Sequence, residues 1–417
     1  MKENSLSKNK VNPKSITKFI LVVIFIIGLG FLVTFISSKY FSEIGNYEIE
    51  FLDTRNKNEV KMEAEKETIE VVEIDKKLQN PPEEVKALYV TAWSTTLPDR
   101  VDGFIDLIKK EKLNAVIIDV KDYSGYIAYD IENETVLKYE AKKVIIPDVD
   151  DLIQKFHDND IYVIARVTVF QDPILAVARP DLAIKNKATG GLWKDNSGLA
   201  WIDPASIEAR DYIVEIAKDA SERGFDEINF DYIRFPSDGR LSQMSFPFYD
   251  SEVQTKREAM KEVFEHFREN LPDLVISVDL FGLATVNKDD LGIGQTIEDA
   301  FENFDYICPM VYPSHYANGF IGFQNPAQHP YEVVKYSINH AVERLEAYRV
   351  AQEENSEGQK KSLAKIRPWL QAFDIGAVYG PNMIRAQIDA SNEAGGVGWI
   401  LWNASNRYST RVVNLVD

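Results

Sequence analysis

The sequence holds a single cysteine, Cys308, among 417 residues. One thiol excludes an intramolecular disulfide and a structural zinc site built on cysteines. The chain is thus either kept in a reducing compartment or exported without the help of disulfides. Histidine is also scarce, at His157, His266, His315, His329 and His340. Only His315 and His329 fall where the strand pattern below would put a site, which is thin for the clustered His and Asp ligands of a metal-dependent polysaccharide deacetylase. No metal or other cofactor is implied. The phosphate cradles G-x-G-x-x-G and G-x-x-x-x-G-K-[ST] do not follow the first strand, so dinucleotide and P-loop readings lose their basis. A G-x-S-x-G nucleophile elbow and an internal repeat are missing as well.

Positive charge is the next shortage. Lys and Arg number 47 against 66 Asp and Glu, a net charge of −19 that repels phosphate backbones and argues against nucleic acid as a partner. The shortage is uneven: residues 1–39 carry six lysines against Glu3, a net of +5, which leaves −24 for residues 40–417. Apolar residues make up 45% and charged residues 27%, enough for a sizeable core and no case for global disorder. The length suggests one large domain with additions.

What is present at the N-terminus is an uncharged run. Phe19 to Ile36 (FILVVIFIIGLGFLVTFI) spans 18 residues with Thr34 its only polar side chain, nearly the length that crosses a bilayer core. Lysines precede it, so the positive-inside rule expects a cytoplasmic N-terminus and an extracytoplasmic remainder. A cleaved signal peptide would have a shorter apolar region followed by an A-x-A-like site. Here the run is longer and ends FISSKYFS, the pattern of an uncleaved signal-anchor. The expected order is a cytoplasmic basic tail at 1–18, a transmembrane anchor at 19–36, an extracytoplasmic polar linker at 37–83, and a folded domain at 84–417. The linker is Lys/Glu-rich, closes on Asn80-Pro81-Pro82 and carries no visible chemistry.

From Lys86 onward, short β-branched or aromatic runs alternate with helical-period segments, the signature of repeated βα units. The predicted strands are Ala87–Trp93, Ala115–Val120, Ile161–Phe170, Glu227–Asp231, Leu274–Leu280, Tyr306–Val311, Ile366–Gln371 and Val397–Trp402. Between them lie amphipathic stretches at Arg100–Lys112, Asp148–Asn159, Ala205–Arg223, Ser251–Asn270, Tyr331–Gln352 and Pro381–Ala394. Count, order and span fit an α/β fold, a (β/α)8 TIM barrel with elaborated loops.

In such barrels the site lies at the C-terminal ends of the strands. Period two in EINFD sends Glu227, Asn229 and Asp231 to one face and Ile228 and Phe230 to the other, with Asp231 at the top. In LVISVDL the same rule turns Ser277 and Asp279 inward. Adjacent strands thus offer Asp231 and Asp279 to one cleft, as two-carboxylate glycoside hydrolysis needs. An inward Asp can also be structural, bonded to Arg166 or Arg234, and Glu227, deeper in the strand, reads as such a group. Further polar strand-end groups are Asp119, Lys121, Arg166, Thr168, Gln371, Asp374 and Asn403, suited to binding hydroxyls. Flat aromatics that stack on sugar rings gather at the same edge: Trp93, Trp369, Trp399 and Trp402 on strands, Trp193 and Trp201 in the loop after strand three, with Tyr123, Tyr126, Tyr232, Tyr312 and Tyr316.

The blocks GFDEINFDYIRFPSDG (Gly224–Gly239), ISVDLFGLAT (Ile276–Thr285), ICPMVYPSHY (Ile307–Tyr316) and GWILWNASNRY (Gly398–Tyr408), with ALYVTAW and VIIDVKDYSG, resemble an uncharacterised family assigned to the glycoside hydrolases. The resemblance covers about residues 84–410 and implies a TIM barrel distantly like that of the α-amylases. It would make Asp231 the strand-four nucleophile and Asp279 the strand-five acid, shorter than the Glu of the amylase type; Asp374 would be the stabilising strand-seven Asp. The α-galactosidase pattern, with acids on strands four and six, fits less well because Tyr306–Tyr312 holds none. The expectation is a membrane-anchored extracytoplasmic glycoside hydrolase, catalytic through Asp231 and Asp279. Its substrate, a cell-surface or cell-wall polysaccharide or oligosaccharide, would meet Asp119, Lys121, Arg166, Arg234, Trp93, Tyr312, His315, Gln371, Asp374, Trp402 and Asn403. A barrel that binds glycans without catalysis, or a metal-dependent deacetylase, is the alternative. Protein partners are not legible.

Overall fold

The computed structural model describes residues 76–355, 362–413 and 415. The expected tail, the anchor and nearly all of the linker lie outside the described residues, and among those described no helix is long and apolar enough to cross a membrane.

Eight parallel strands close into a barrel: β1 (Lys86–Val90), β2 (Ala115–Lys121), β3 (Tyr162–Thr168), β4 (Glu227–Asp231), β5 (Ile276–Phe281), β6 (Tyr306–Val311), β7 (Trp369–Gln371) and β8 (Trp399–Trp402). Neighbours in sequence are neighbours in space. Trp369 of β7 lies opposite Met310 of β6, and Lys86 of β1 opposite Trp399 of β8, which closes the ring. The strand expected at Ile366–Gln371 is split. Lys365–Ile366 pairs with the start of β6, and pairing breaks before β7 at Pro368, which has no N–H to donate.

The expected helices form as α1 (Pro98–Lys110), α2 (Val149–His157), α3 (Ile207–Arg223), α4 (Lys256–Asn270), α5 (Pro330–Asn355) and α6 (Pro381–Glu393). Their starts follow from local chemistry. Asp148 and Ser206 cap α2 and α3, and Thr255 with Glu258 forms a reciprocal capping box on α4, contacts worth about 1 kcal/mol each. Gly224 ends α3 at φ +117°, where a Cβ would also press on Lys76. Between β5 and β6, where no amphipathic stretch was expected, the structure has a 3-10 turn at Gly282–Thr285 and one helical turn at Ile297–Ala300.

The two faces of each strand divide the core. Ile228, Phe230, Ile276 and Val278 face outward into the shell beneath the helices, where Phe230 meets Phe267 of α4 with ring centroids 4.6 Å apart. Inside the barrel a smaller apolar cluster of Ala87, Tyr89, Ile117, Ile164, Cys308 and Trp369 adjoins polar side chains from β3, β4 and β5. Over the mouth, the loops after β3 and β4 are joined. Lys185–Asn186 pairs antiparallel with Met244–Ser245, and Asp203 accepts from the backbone of Phe248 and Tyr249. This raises a wall on one side of the barrel's C-terminal end.

Candidate active site

The C-terminal ends of β3 to β8 surround a cleft of about 450 Å³, within the usual ~300–1,000 Å³ of ligand pockets. Arg166, Asp231, Asp279, Tyr312, Trp369 and Trp402 reach it from successive strand ends, and Arg234 and His315 from the loops.

Arg166 is the hub. Its Nη1 donates to Asp119 Oδ1 at 2.6 Å, its Nη2 donates to Asp231 Oδ2, and its Nε lies 3.7 Å from Asp279 Oδ2. The guanidinium also sits over the rings of Tyr89 and Trp402, at 5.7 and 5.4 Å. Tyr89 fixes the far side by donating its hydroxyl to Asp119 Oδ2. One cation therefore faces three carboxylates, and burial of each makes that imbalance expensive.

The two central aspartates are held differently. Asp231 uses Oδ2 for Arg166 and accepts from the Tyr232 N–H on Oδ1 at 2.5 Å. Tyr232 adopts φ +52°, a left-handed conformation that an aromatic residue rarely takes, so this N–H is aimed at local backbone cost. Asp279 accepts on Oδ1 from Trp369 Nε1 at 2.7 Å and from Asn229 Nδ2 at 2.9 Å, while its buried Oδ2 has no hydrogen bond. Burial foremost, then the charge of Asp231, pushes the Asp279 carboxyl up to about 8, against the opposing pull of Arg166. Burial likewise raises Asp119. Asp279 is thus suited to hold a proton, on its unpaired oxygen, where Asp231 is committed to an ion pair.

Beneath this layer Glu227 is fully enclosed. Arg367 donates to both of its oxygens, and Ser277 Oγ donates to Oε1 at 2.5 Å. It has the closed geometry of a structural group.

Of the residues expected from sequence, Asp231, Asp279, Arg166, Arg234, Tyr312, His315 and Trp402 line the cleft. The others do not. Asp119 stands behind Arg166. Lys121 is enclosed by Asp172, at 2.9 Å, and the Thr168 carbonyl, at 2.7 Å. Its strand-end position gave no warning that the loop after β3 folds over it. Gln371 is buried, accepting from Ser314 N and donating to the Phe373 carbonyl. Asn403 closes the turn after β8 through Ala372, Arg407 and Ser405. Asp374 is bound bidentately by Arg411, whose hydrogen bonds hold its carboxyl down at about 2. Trp93 is 59% exposed at the rim. Trp193, Trp201 and Trp399 are buried in the core, whereas Trp369 enters the cleft.

Sequence reasoning put Trp369 at a strand end without seeing that its indole N–H serves Asp279. It placed Asn229 inward with no role. Period two carried the signal for both: Asn229 shares the face of Asp231, and Trp369 that of Gln371. Tyr89 shares the inward face of Ala87 in the same way and was not singled out. Among the described residues no cluster of three or more His, Cys, Asp or Glu could hold a metal ion. His315 packs against Tyr312 and Phe373, and burial pushes its pKa down.

Residues 87–408 match the model of a family described as "putative glycosyl hydrolase domain". No curated protein matches the chain. Among solved structures, a hypothetical protein from Ruminiclostridium thermocellum is 38% identical, covering 49% of this chain and 98% of its own, with a TM-score of 0.43. The glycoside hydrolase domain of PgaB (BpsB) from Bordetella bronchiseptica is 14% identical over 78% of this chain and 95% of its own, with a TM-score of 0.55, a likeness of fold. The α-galactosidase TtGalA from Thermus thermophilus, in complex with stachyose, is 12% identical over 79% of this chain and 64% of its own, with a TM-score of 0.47.

Proposed function

Since the chain belongs to this family of glycosyl hydrolase domains, we propose that it is a membrane-anchored, extracytoplasmic glycoside hydrolase that cleaves a cell-surface or cell-wall polysaccharide with two carboxylates, Asp231 and Asp279. The observation that carries the reading is the asymmetry of the pair. Asp231 is ion-paired to Arg166, and Asp279, in the same cleft, keeps one buried oxygen free of hydrogen bonds and a raised affinity for its proton.

In this reading Asp231 attacks the anomeric carbon. The bond from that carbon to the glycosidic oxygen breaks, its electron pair stays on the oxygen, and that oxygen takes the proton of Asp279. Asp279, now a carboxylate, removes a proton from the water that releases the sugar from Asp231. Phe230 lies opposite Val278, so Asp231 and Asp279, one step further along, come from neighbouring strands, and the distance between their carboxyl groups decides the stereochemical outcome. Retaining enzymes separate their carboxylates by ~5–5.5 Å and inverting ones by ~6.5–9.5 Å. Trp402, Tyr312 and Trp369 form the aromatic part of the cleft wall, and His315 and Arg234 offer polar contacts.

The test incubates the protein and its Asp231→Asn variant with a panel of cell-wall and exopolysaccharide preparations and profiles released glycans by mass spectrometry. Release by the wild type alone is expected; release by both would remove Asp231 from the chemistry. Equal glycan binding without release would favour a non-catalytic barrel. The anchor reading rests on the uncharged Phe19–Ile36 segment. The full chain should pellet with membranes and a chain starting at residue 84 should not; a soluble full chain would overturn it.

A further inference from the structure

Four arginines are buried among the described residues: Arg166, Arg210, Arg234 and Arg367. Three of them have a carboxylate within ion-pair distance, Arg166 on Asp119 and Asp231, Arg367 on Glu227, and Arg210 on Glu262 at 3.8 Å. Arg234 is the exception. It is 9% exposed, and no carboxylate of the described residues lies within 4.0 Å of it. Its guanidinium is instead caged by rings, 4.7 Å from Phe281, 5.0 Å from Trp201 and 5.4 Å from Tyr232. Only Nη1 is hydrogen-bonded, donating to the Phe235 carbonyl at 3.0 Å and Ser237 Oγ at 3.2 Å.

A caged arginine could simply be a packing element, since cation–π contact offsets part of the cost of burial. Two observations point further. Arg234 lines the cleft that holds Asp231 and Asp279, and its Nε and Nη2 make no hydrogen bond yet are not sealed off from solvent. The rings fix the plane of the fork, leaving a rigid pair of donors of the kind that grips a planar oxyanion bidentately. The opposing charges around Arg234, Asp231 foremost and then Asp238 and Asp195, act on it from beyond ion-pair distance, so a neutral sugar hydroxyl would leave it without a contact counterion, whereas a carboxylate or phosphate on the sugar would complete the ion pair that the other buried arginines already have.

Resting on the hydrolase reading above, the geometry points to a substrate that is an acidic polysaccharide, with Arg234 gripping an oxyanion of the sugar bound next to Asp231. The oxyanion is a uronate-type carboxylate or a phosphate substituent, which share this chemistry.

The experiment measures binding by the full chain carrying Asp231→Asn, which removes turnover, on an array of neutral, uronate-containing and phosphate-substituted oligosaccharides, the uronates also as methyl esters. Acidic glycans should be retained and weaken as salt rises. Methyl esters and neutral analogues should bind at least about tenfold more weakly, a comparison that needs no change at Arg234. Uronates bound without phosphates, or the reverse, would identify the source of the anion. Adding Arg234→Gln should abolish the preference for charge, and Arg234→Lys should restore part of it; a thermal melt of each variant separates lost recognition from lost folding. Esters bound as well as acids, with polysaccharide still cleaved by the wild type, would overturn this inference and leave the hydrolase reading standing. No binding and no cleavage of any glycan would overturn both.

Discussion

The barrel interior holds two buried clusters of arginine and acid, stacked one above the other, and they differ in stoichiometry. In the lower cluster Arg367 meets one acid, Glu227, both of whose oxygens are hydrogen-bonded. In the upper one Arg166 meets Asp119, Asp231 and Asp279, and Asp279 Oδ2 is left over. Each arginine has an Nε without a hydrogen bond, so the contrast lies in the acids. A balanced, closed pair gives rigidity. An excess of acid keeps one carboxyl protonated and costs stability, a cost that persists at sites where a perturbed proton affinity has a use.

Exchanging acids between the two roles is the most direct way to break this contrast. Asp231→Asn should take glycan release below detection while moving the melting temperature by no more than a few degrees. Asp279→Asn should slow turnover by ~10²–10⁴-fold, the share usual for a general acid. A substrate with a leaving group too weakly basic to need protonation should recover most of that loss for Asp279→Asn and none for Asp231→Asn. Equal recovery in both would erase the distinction between the two aspartates.

The lower pair should respond in the opposite sense. Glu227→Gln leaves the Arg367 charge enclosed without a counterion, which costs about 3–5 kcal/mol. Chemical denaturation should show that loss, and the fraction still folded should turn over substrate at near the wild-type rate. A stable Glu227→Gln protein with abolished turnover would reverse the assignment of the two layers.

The difference between the layers was partly legible before any coordinates. Period two along EINFD and LVISVDL put Glu227, Asn229, Asp231, Ser277 and Asp279 on the inward face, and the order along each strand gave their depth. That rule gives direction along one strand and nothing about which neighbour completes each group. Arg367 lies 140 residues from Glu227, and Trp369 lies 90 residues from Asp279. Lys121, Gln371 and Asn403 illustrate the same limit from the other side. Each stands at a strand end, where open cleft and covering loop have the same local sequence signature, and the loops closed over all three. The seventh strand was expected unbroken through Pro368, where the structure interrupts it.

A smaller effect concerns pH. If Asp279 delivers the proton, kcat/KM should fall as pH rises through about 8, because the raised carboxyl then empties. Above that point the loss should approach about tenfold per pH unit. A profile flat from pH 6 to 9 would assign the proton to another group.

The smallest expected effect isolates the cost of the upper cluster without any substrate. In the folded chain Asp279 keeps its proton up to about 8, whereas its ordinary value is 3.8. Between those values the folded state binds more protons than the unfolded one, so stability falls as pH rises. The contribution of this group is whole below 3.8 and is lost on passing through about 8. Asparagine has the shape of the protonated acid and no proton to lose, and it can still accept from Trp369 and Asn229 on its oxygen. Asp279→Asn should therefore melt close to the wild type at pH 4 and above it at pH 8, the gap widening as pH rises between them. Glu227→Gln should show no such gain at either pH, because its acid is already compensated. Parallel stability curves for wild type and Asp279→Asn across this range would mean that Asp279 is ionised throughout, and that Arg166 balances the upper cluster as fully as Arg367 balances the lower.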